Sequence, residues 1–249
     1  FDIDGTLLQS DINQIPVSTI EAIQKLKEAG HELAVATGRA LFLVDEWIRN
    51  LTFSTFVTAN GQHITHHGEV VYENAIPTEV VENLIQETNK LEMVIGLLSA
   101  TRSTVTGMND DVIESFKRVS MPLPEIIENI HQEDAILQAW YFSDDFKHLP
   151  ETFKNDLRFV PWLSFGADIV PLNGSKAEGI KQLINHLSEK PEQIIAFGDG
   201  HNDIEMLQLA DIGVAMGNAS DEVKAHADFV TKRIDENGIY YACETLGLF

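Results

Sequence analysis

Basic side chains are scarce in this chain: 17 lysines and arginines stand against 39 aspartates and glutamates over 249 residues, a formal charge of −22. A phosphate backbone or an anionic membrane surface recruits clusters of Lys and Arg, so neither nucleic acid nor a membrane is an expected partner. Cysteine is nearly absent. Cys243, the single one, cannot build an internal disulfide framework, which suits a reducing compartment and a structural role for that thiol. No apolar run approaches the ~18 residues of a membrane span, and no basic stretch precedes a short apolar one in the manner of a leader. No Gly-rich dinucleotide fingerprint follows an early strand, and repeats and low-complexity segments are missing. These absences leave a cytoplasmic globular protein as the expectation.

What is present is enough apolar residue, 44% of the chain, for one large domain or a medium domain carrying a smaller insert. Phe1 is followed at once by Asp2-Ile3-Asp4-Gly5-Thr6, so the chain opens inside a strand and further residues are expected upstream. Ser18-Thr-Ile-Glu21 reads as a capping box, and Ile20, Ile23 and Leu26 carry an apolar stripe until Gly30 stops it. A buried strand is expected over His31–Ala36, a helix over Ala40–Asn50 and a strand over Thr55–Ala59. This alternation argues for a parallel sheet covered on both faces.

After Asn60-Gly61 the rhythm changes. Gln62–Thr65 and Val70–Glu73 flank His66-His67-Gly68-Glu69 as a hairpin, with both histidines read as turn residues rather than metal ligands. From Thr78 to about Val170, helices (Thr78–Leu91, Asp110–Val119) mix with strands (Met93–Leu98, Ile136–Phe142), the pattern of an inserted α+β domain. Turn residues near Pro77 and Pro171-Leu172-Asn173-Gly174 mark its limits. Regular α/β order then resumes with a helix opened by Ser175-Lys176-Ala177-Glu178, a strand over Gln193–Phe197 and a helix over Asn202–Leu209. A strand over Ile212–Met216 and a short helix from Ser220 follow. The expected fold is α/β: a Rossmann-like doubly wound parallel-sheet core from residues 1–77 and 174–249, with an inserted α+β cap over 78–173.

Four segments carry chemistry. Alternate side chains of an extended segment share a face, so Asp2 and Asp4 would meet in one crevice at the carboxyl end of the first strand. Two carboxylates that close need a cation or a proton between them, the arrangement of a nucleophile beside a general acid; a solvated Asp-Gly turn is the other reading. Thr37-Gly38-Arg39 offers a hydroxyl and backbone donors for phosphate oxygens, or a plain turn. Lys176 stands at a helix N-terminus, where the macrodipole disfavours a cation, so a nearby anion or simple exposure would explain it. Gly198-Asp199-Gly200-His201-Asn202-Asp203 places two acids and an amide after an apolar run, oxygen ligands suited to magnesium, or the turn before a capped helix.

The order of these segments resembles the haloacid dehalogenase superfamily of phosphohydrolases over most of the chain. Asp2-Ile-Asp4-Gly-Thr6-Leu-Leu resembles its first motif, Thr37-Gly38-Arg39 its second, Lys176 its third and Gly198 to Asp203 its fourth. The place of the insert, together with Ala59-Asn60-Gly61 and Asp168-Ile-Val-Pro171, resembles the type IIB or Cof-like branch. Gln62 and Asp168 depart from the Ala and Glu most often seen there, a difference expected to bear on substrate choice.

The resemblance implies an Mg2+-dependent phosphatase acting on a small phosphorylated metabolite, such as a sugar phosphate, through a phosphoaspartate on Asp2. Asp4 would be the acid and base. Asp2, the Asp4 main-chain carbonyl, Asp199 and Asp203 would hold the metal, and Thr37, Gly38, Lys176 and Asn202 would contact the phosphoryl group. Arg39, Asn60 and Arg102 are candidate substrate contacts, and the insert would close over the site. A phosphoryl transferase such as a phosphosugar mutase, or a non-catalytic metabolite sensor on the same scaffold, stands as the alternative. Oligomeric state is left open.

Overall fold

The computed structural model describes residues 1–9, 12–118, 121–143, 153, 155–162 and 165–249. Packing divides it into two compact units. The first comprises Phe1–Arg39, Val44–Tyr72 and Ser175–Phe249, and the second Ala40–Leu43 and Glu73–Gly174.

In the first unit, helix α1 (Val17–Glu28) buries Thr19, Ala22, Ile23 and Leu26. It ends in a Schellman motif: Gly30 takes φ +90°, its N–H bonds to Lys27 O, and the His31 N–H bonds to Leu26 O. His31 is thereby drawn into the helix cap, so strand β1 is confined to Ala34–Ala36 instead of starting at His31. The expected capping box is not formed. Pro16, with φ −57° and ψ 141°, is the N-cap and its carbonyl receives the Thr19 and Ile20 N–H groups. Ser18 falls inside the first turn with its hydroxyl unpartnered, and Ile20 faces outward.

The helix expected over Ala40–Asn50 is also broken. A 3₁₀ turn, Leu41–Leu43, is followed by α2 (Glu46–Arg49), because Asp45 between them is extended (ψ 138°) and bonds to Arg39 Nη1 at 3.4 Å. Strand β2 (Thr55–Thr58) pairs parallel with β1 and antiparallel with β3 (His63–His66). Strand β4 (Glu69–Glu73) completes a four-stranded sheet, joined to β3 by His67 and Gly68 at φ +50° and +82°, the dihedrals of a tight hairpin. His66 closes the strand rather than the turn, with Nδ1 2.8 Å from the Thr55 hydroxyl.

In the second unit, β5 (Ile95–Leu98), β6 (Ser103–Val105), β7 (Glu125–Ile126), β8 (Gln138–Tyr141), β9 (Leu157–Trp162) and β10 (Gly166–Pro171) form one sheet in the order β7-β6-β5-β8-β10-β9. Its pairs are antiparallel except β6 with β7. Helix α3 (Thr78–Lys90) lays Val81, Leu84 and Ile85 on Ile95, Leu97, Tyr141 and Ile169. Helix α4 spans Asp110–Arg118, and Val119, the expected last residue, lies outside the described residues.

Helix α5 (Lys176–His186) returns the chain to the first unit, capped by Ser175, whose hydroxyl accepts the Glu178 N–H at 3.1 Å. Strand β11 (Ile195–Gly198), the 3₁₀ turn His201–Asp203 and α6 (Ile204–Leu209) follow. Then come β12 (Ile212–Ala215), α7 (Asp221–Lys224) on a Ser220 cap, β13 (Phe229–Val230) and α8 (Gly238–Thr245). Strands β11, β12 and β13 run parallel. Phe1 and Asp2 link the two sheets of this unit: the Ala36 N–H bonds to Phe1 O at 2.8 Å and the Asp2 N–H to Phe197 O at 2.9 Å. The architecture is thus α/β, with a parallel core whose strand ends carry the loops described next.

One close approach sets the position of α5. A β-carbon on Gly179 would lie 2.6 Å from Gly61 Cα and 2.8 Å from Val57 Cγ1. Glycine inside a helix ordinarily costs about 0.5–1 kcal/mol relative to alanine, but overpacking costs about 1–3 kcal/mol. Gly179→Ala is therefore expected to destabilise the protein in urea unfolding by about 1–3 kcal/mol; a stabilised variant would show that this contact gives way.

Candidate active site

Four loops at the ends of the core strands meet around Lys176. The residue stands at the first position of α5 and is 1% exposed. Its Nζ donates to Asp2 Oδ1 at 2.6 Å and to Asp203 Oδ1 at 2.7 Å. An unpaired ammonium could not be buried this deeply, so both carboxylates are conditions of its placement. The backbone that seats α5 is unusual too. Ala59 and Asn60 take φ +49° and +51°, left-handed values that cost a non-glycine residue of order 1 kcal/mol or more. They are held there by N–H bonds from Ala59 to Arg39 O and from Asn60 to Thr37 O. Asn60 is buried, and its Oδ1 accepts from Asn202 Nδ2 at 3.1 Å.

Asp203 is fully buried. Beyond Lys176, its Oδ2 receives the Asp199 and Gly200 N–H groups, both at 2.9 Å. Asp199 Oδ1 accepts from the Thr6 hydroxyl at 2.7 Å, and Asn218 Nδ2 lies 3.3 Å from Oδ2. One oxygen each from Asp2, Asp199 and Asp203 lies within 4.8 Å of the others. With all three acids ionised, three carboxylates against one ammonium leave two negative charges in excess within this cluster.

The acids respond as such crowding demands. Burial first, then the Asp203 charge, pushes Asp2 well above the ordinary carboxylate range despite the opposing pull of Lys176. Burial also raises Asp199, to about 6, with Thr6 opposing and Asp203 adding to the rise. Burial alone would lower Lys176, but Asp2 and Asp203 outweigh it and hold the ammonium above its usual value. The donors are oxygens only and the surplus matches a divalent charge, so the residues present fit a hard dication such as magnesium.

Asp4 acts on the same cluster, its charge adding to the rise of both Asp2 and Asp199. The Ile3 carbonyl accepts the Thr6 and Leu8 N–H groups, and Gly5 turns the chain at φ +87°. Asp4 forms an isolated parallel bridge with Leu8, and its carboxylate is partly open to solvent and gripped by Arg39 at 2.9 and 2.6 Å. Thr37 is buried at the end of β1, and its Oγ1 accepts the Arg39 N–H at 3.1 Å across Gly38. Arg102 belongs to the second unit, where it pairs with Asp134 and Glu133, each at 2.7 Å.

A family model described as haloacid dehalogenase-like hydrolase matches residues 1–243. The chain belongs to that family. This haloacid dehalogenase-like hydrolase is an enzyme of the phosphatase type, and its relatives agree in extent. YkrA of Bacillus subtilis, whose name proposes a phosphatase, is 35% identical over 249 residues, spanning 100% of this chain and 96% of that protein. The solved structure of BT4131, titled a subclass IIB sugar phosphatase, superposes with a TM-score of 0.89 at 32% identity, covering 100% of this chain and 98% of its own. A pyridoxal phosphate phosphatase of Escherichia coli, YbhA, is 29% identical over 252 residues, 92% of this chain and 90% of that protein.

Two participants in the hydrolase's carboxylate cluster carry no role in the sequence reading. Thr6 lies inside the first motif, and only its bond to Asp199, 193 positions away, shows what it does. Asn218 follows Gly217 after β12 and looks like any turn asparagine. Removing one partner of a buried ion pair costs about 3–5 kcal/mol. Lys176→Met is expected to lose that much stability at pH 8 in urea unfolding. A carboxyl whose pKa is raised by folding adds stability as pH falls toward the unfolded value and loses it as pH rises through the folded value. The loss should therefore shrink toward pH 5, and a loss independent of pH would contradict it.

Proposed function

We propose that this hydrolase removes the phosphoryl group of a small phosphorylated metabolite by way of a phosphoaspartate on Asp2. The observation that carries the reading is the buried Asp2–Lys176–Asp203 cluster, with the separate Asp4–Arg39 pair beside it. Lys176 engages Asp2 Oδ1, which leaves Oδ2 to attack phosphorus in line; the bond from phosphorus to the leaving oxygen breaks as the Asp2 ester forms. Asp4 gives its proton to that oxygen, then takes one from the water that attacks phosphorus and restores the Asp2 carboxylate. Both Asp4 oxygens accept from Arg39, so proton delivery requires Arg39 to turn away from Asp4, as it would toward an incoming phosphate. Thr37, the Gly38 backbone, Lys176 and Asn202 orient the phosphoryl oxygens, with Asn60 holding the Asn202 amide. Asp2, Asp199, Asp203 and the Asp4 carbonyl would hold magnesium, which would supply fixed positive charge to the site.

The names of relatives support a small metabolite as the substrate class, since they include a sugar phosphatase and a pyridoxal phosphate phosphatase. Phosphate release from a panel of small esters, with magnesium and with chelator, tests the proposal. Asp2→Asn keeps the shape and removes the nucleophile, so turnover is expected to disappear; near-native turnover would take Asp2 out of that role. Isomerised ester in place of inorganic phosphate would identify a transferase. Asp4→Asn is expected to slow esters of weakly acidic alcohols far more than those of acidic phenols, and equal losses across leaving groups would count against Asp4 as the acid.

A further inference from the structure

Asn218 stands where three loops of the first unit meet. Its Nδ2 donates to the Gly5 carbonyl at 2.8 Å and to Asp199 Oδ2 at 3.3 Å, while its Oδ1 accepts the Ile234 N–H at 3.0 Å. Bonding chemistry fixes the orientation of the amide: turned over, it would set a carbonyl against two acceptors and an amino group against a donor. Thr6 holds the other oxygen of Asp199, so the carboxylate receives a donor on each side.

The loops have little room to realign. A β-carbon on Gly5 would overlap Asp199 Oδ2, and one on Gly217 would lie 2.5 Å from the Arg233 nitrogen. The Ile234 end is itself anchored. Thr231 Oγ1 donates to the Gly238 carbonyl at 2.6 Å, the Thr231 N–H bonds to Ala215 O, and the Gly217 N–H bonds to Lys232 O, both at 2.9 Å. The amide of Asn218 thus joins the Asp199 carboxylate to the segment 231–238.

We infer that Asn218 is a positioning residue that aims Asp199 at the cation and couples cation occupancy to the seating of residues 231–238. The inference rests on the reading of Asp2, Asp199 and Asp203 as a cation site. A hydrogen bond that orients a ligating carboxylate changes metal affinity by about 10–100-fold when removed. Coupling between two sites is reciprocal, so a cation that fixes Asp199 also steadies Asn218 and, through it, the Ile234 amide.

The test titrates the whole chain with Mn2+, reading the free ion by electron paramagnetic resonance, for the native protein, Asp199→Asn and Asn218→Leu. Asn218→Leu should bind Mn2+ about tenfold more weakly, and raising magnesium should restore its turnover, which general damage to the fold would not allow. Equal Mn2+ affinity in Asn218→Leu and the native chain would overturn the inference. Absence of Mn2+ binding in the native chain, or affinity untouched by Asp199→Asn, would instead overturn the cation-site reading beneath it. Hydrogen exchange of the native protein decides independently of whether the variant folds. Magnesium should slow exchange in the peptide containing Ile234, and an unchanged rate would sink the coupling.

Discussion

A buried ammonium between two buried carboxylates is the constraint on which the rest of this structure depends. Lys176 arrives on a helix, Asp2 on the first extended residues and Asp203 on the turn after β11, so three distant segments must converge before any of the three can leave water. A buried ion cluster is poor evidence of stability, since apolar residues of similar volume are often as stable or more so. Its charge surplus argues the same way. Repulsion among Asp2, Asp199 and Asp203 is a cost that only a bound cation or proton relieves, the mark of a site arranged for chemistry rather than for packing.

Strain and close packing serve that cluster. The left-handed Ala59-Asn60 pair is unfavourable in isolation, yet it brings Gly61 against the first turn of α5 and turns the Asn60 carboxamide toward Asn202. Glycines at 61 and 179 let two backbones approach within distances that a methyl group would forbid, and Gly5 does the same for the Asp199 carboxylate. The second unit is built on other terms, with α3 covering one sheet through an ordinary apolar stripe, and its candidate contact Arg102 engaged by two acids of its own unit.

Long periodic elements were legible from the residues alone. Helices α1, α3 and α5 and the hairpin at His67-Gly68 follow from apolar spacing and turn chemistry, because their patterns repeat over enough residues to outweigh local exceptions. Short elements were not. The stretch Ala40–Asn50 has helical spacing, but the ion pair of Asp45 with Arg39 holds one residue extended and divides it. Ser18 has the composition of a cap, but Pro16 already fixes the entry angle two residues earlier. In both cases the backbone conformation of one residue outweighed a propensity worth a few tenths of a kcal/mol.

The sequence by itself determined the α/β class, the residue types able to bind phosphate and a hard cation, and their family resemblance, because these reside in composition, spacing and motif. Which acids are paired was decided only in three dimensions. Asp2 and Asp4 look equivalent in the chain, yet one is buried against Lys176 and the other is gripped by Arg39 near solvent. Thr6 and Asn218 acquire their parts only through contacts spanning 193 and 19 positions to Asp199. Hydrogen-bond geometry and desolvation act over ångströms between residues that spacing along the chain does not relate, so tertiary structure alone could assign them.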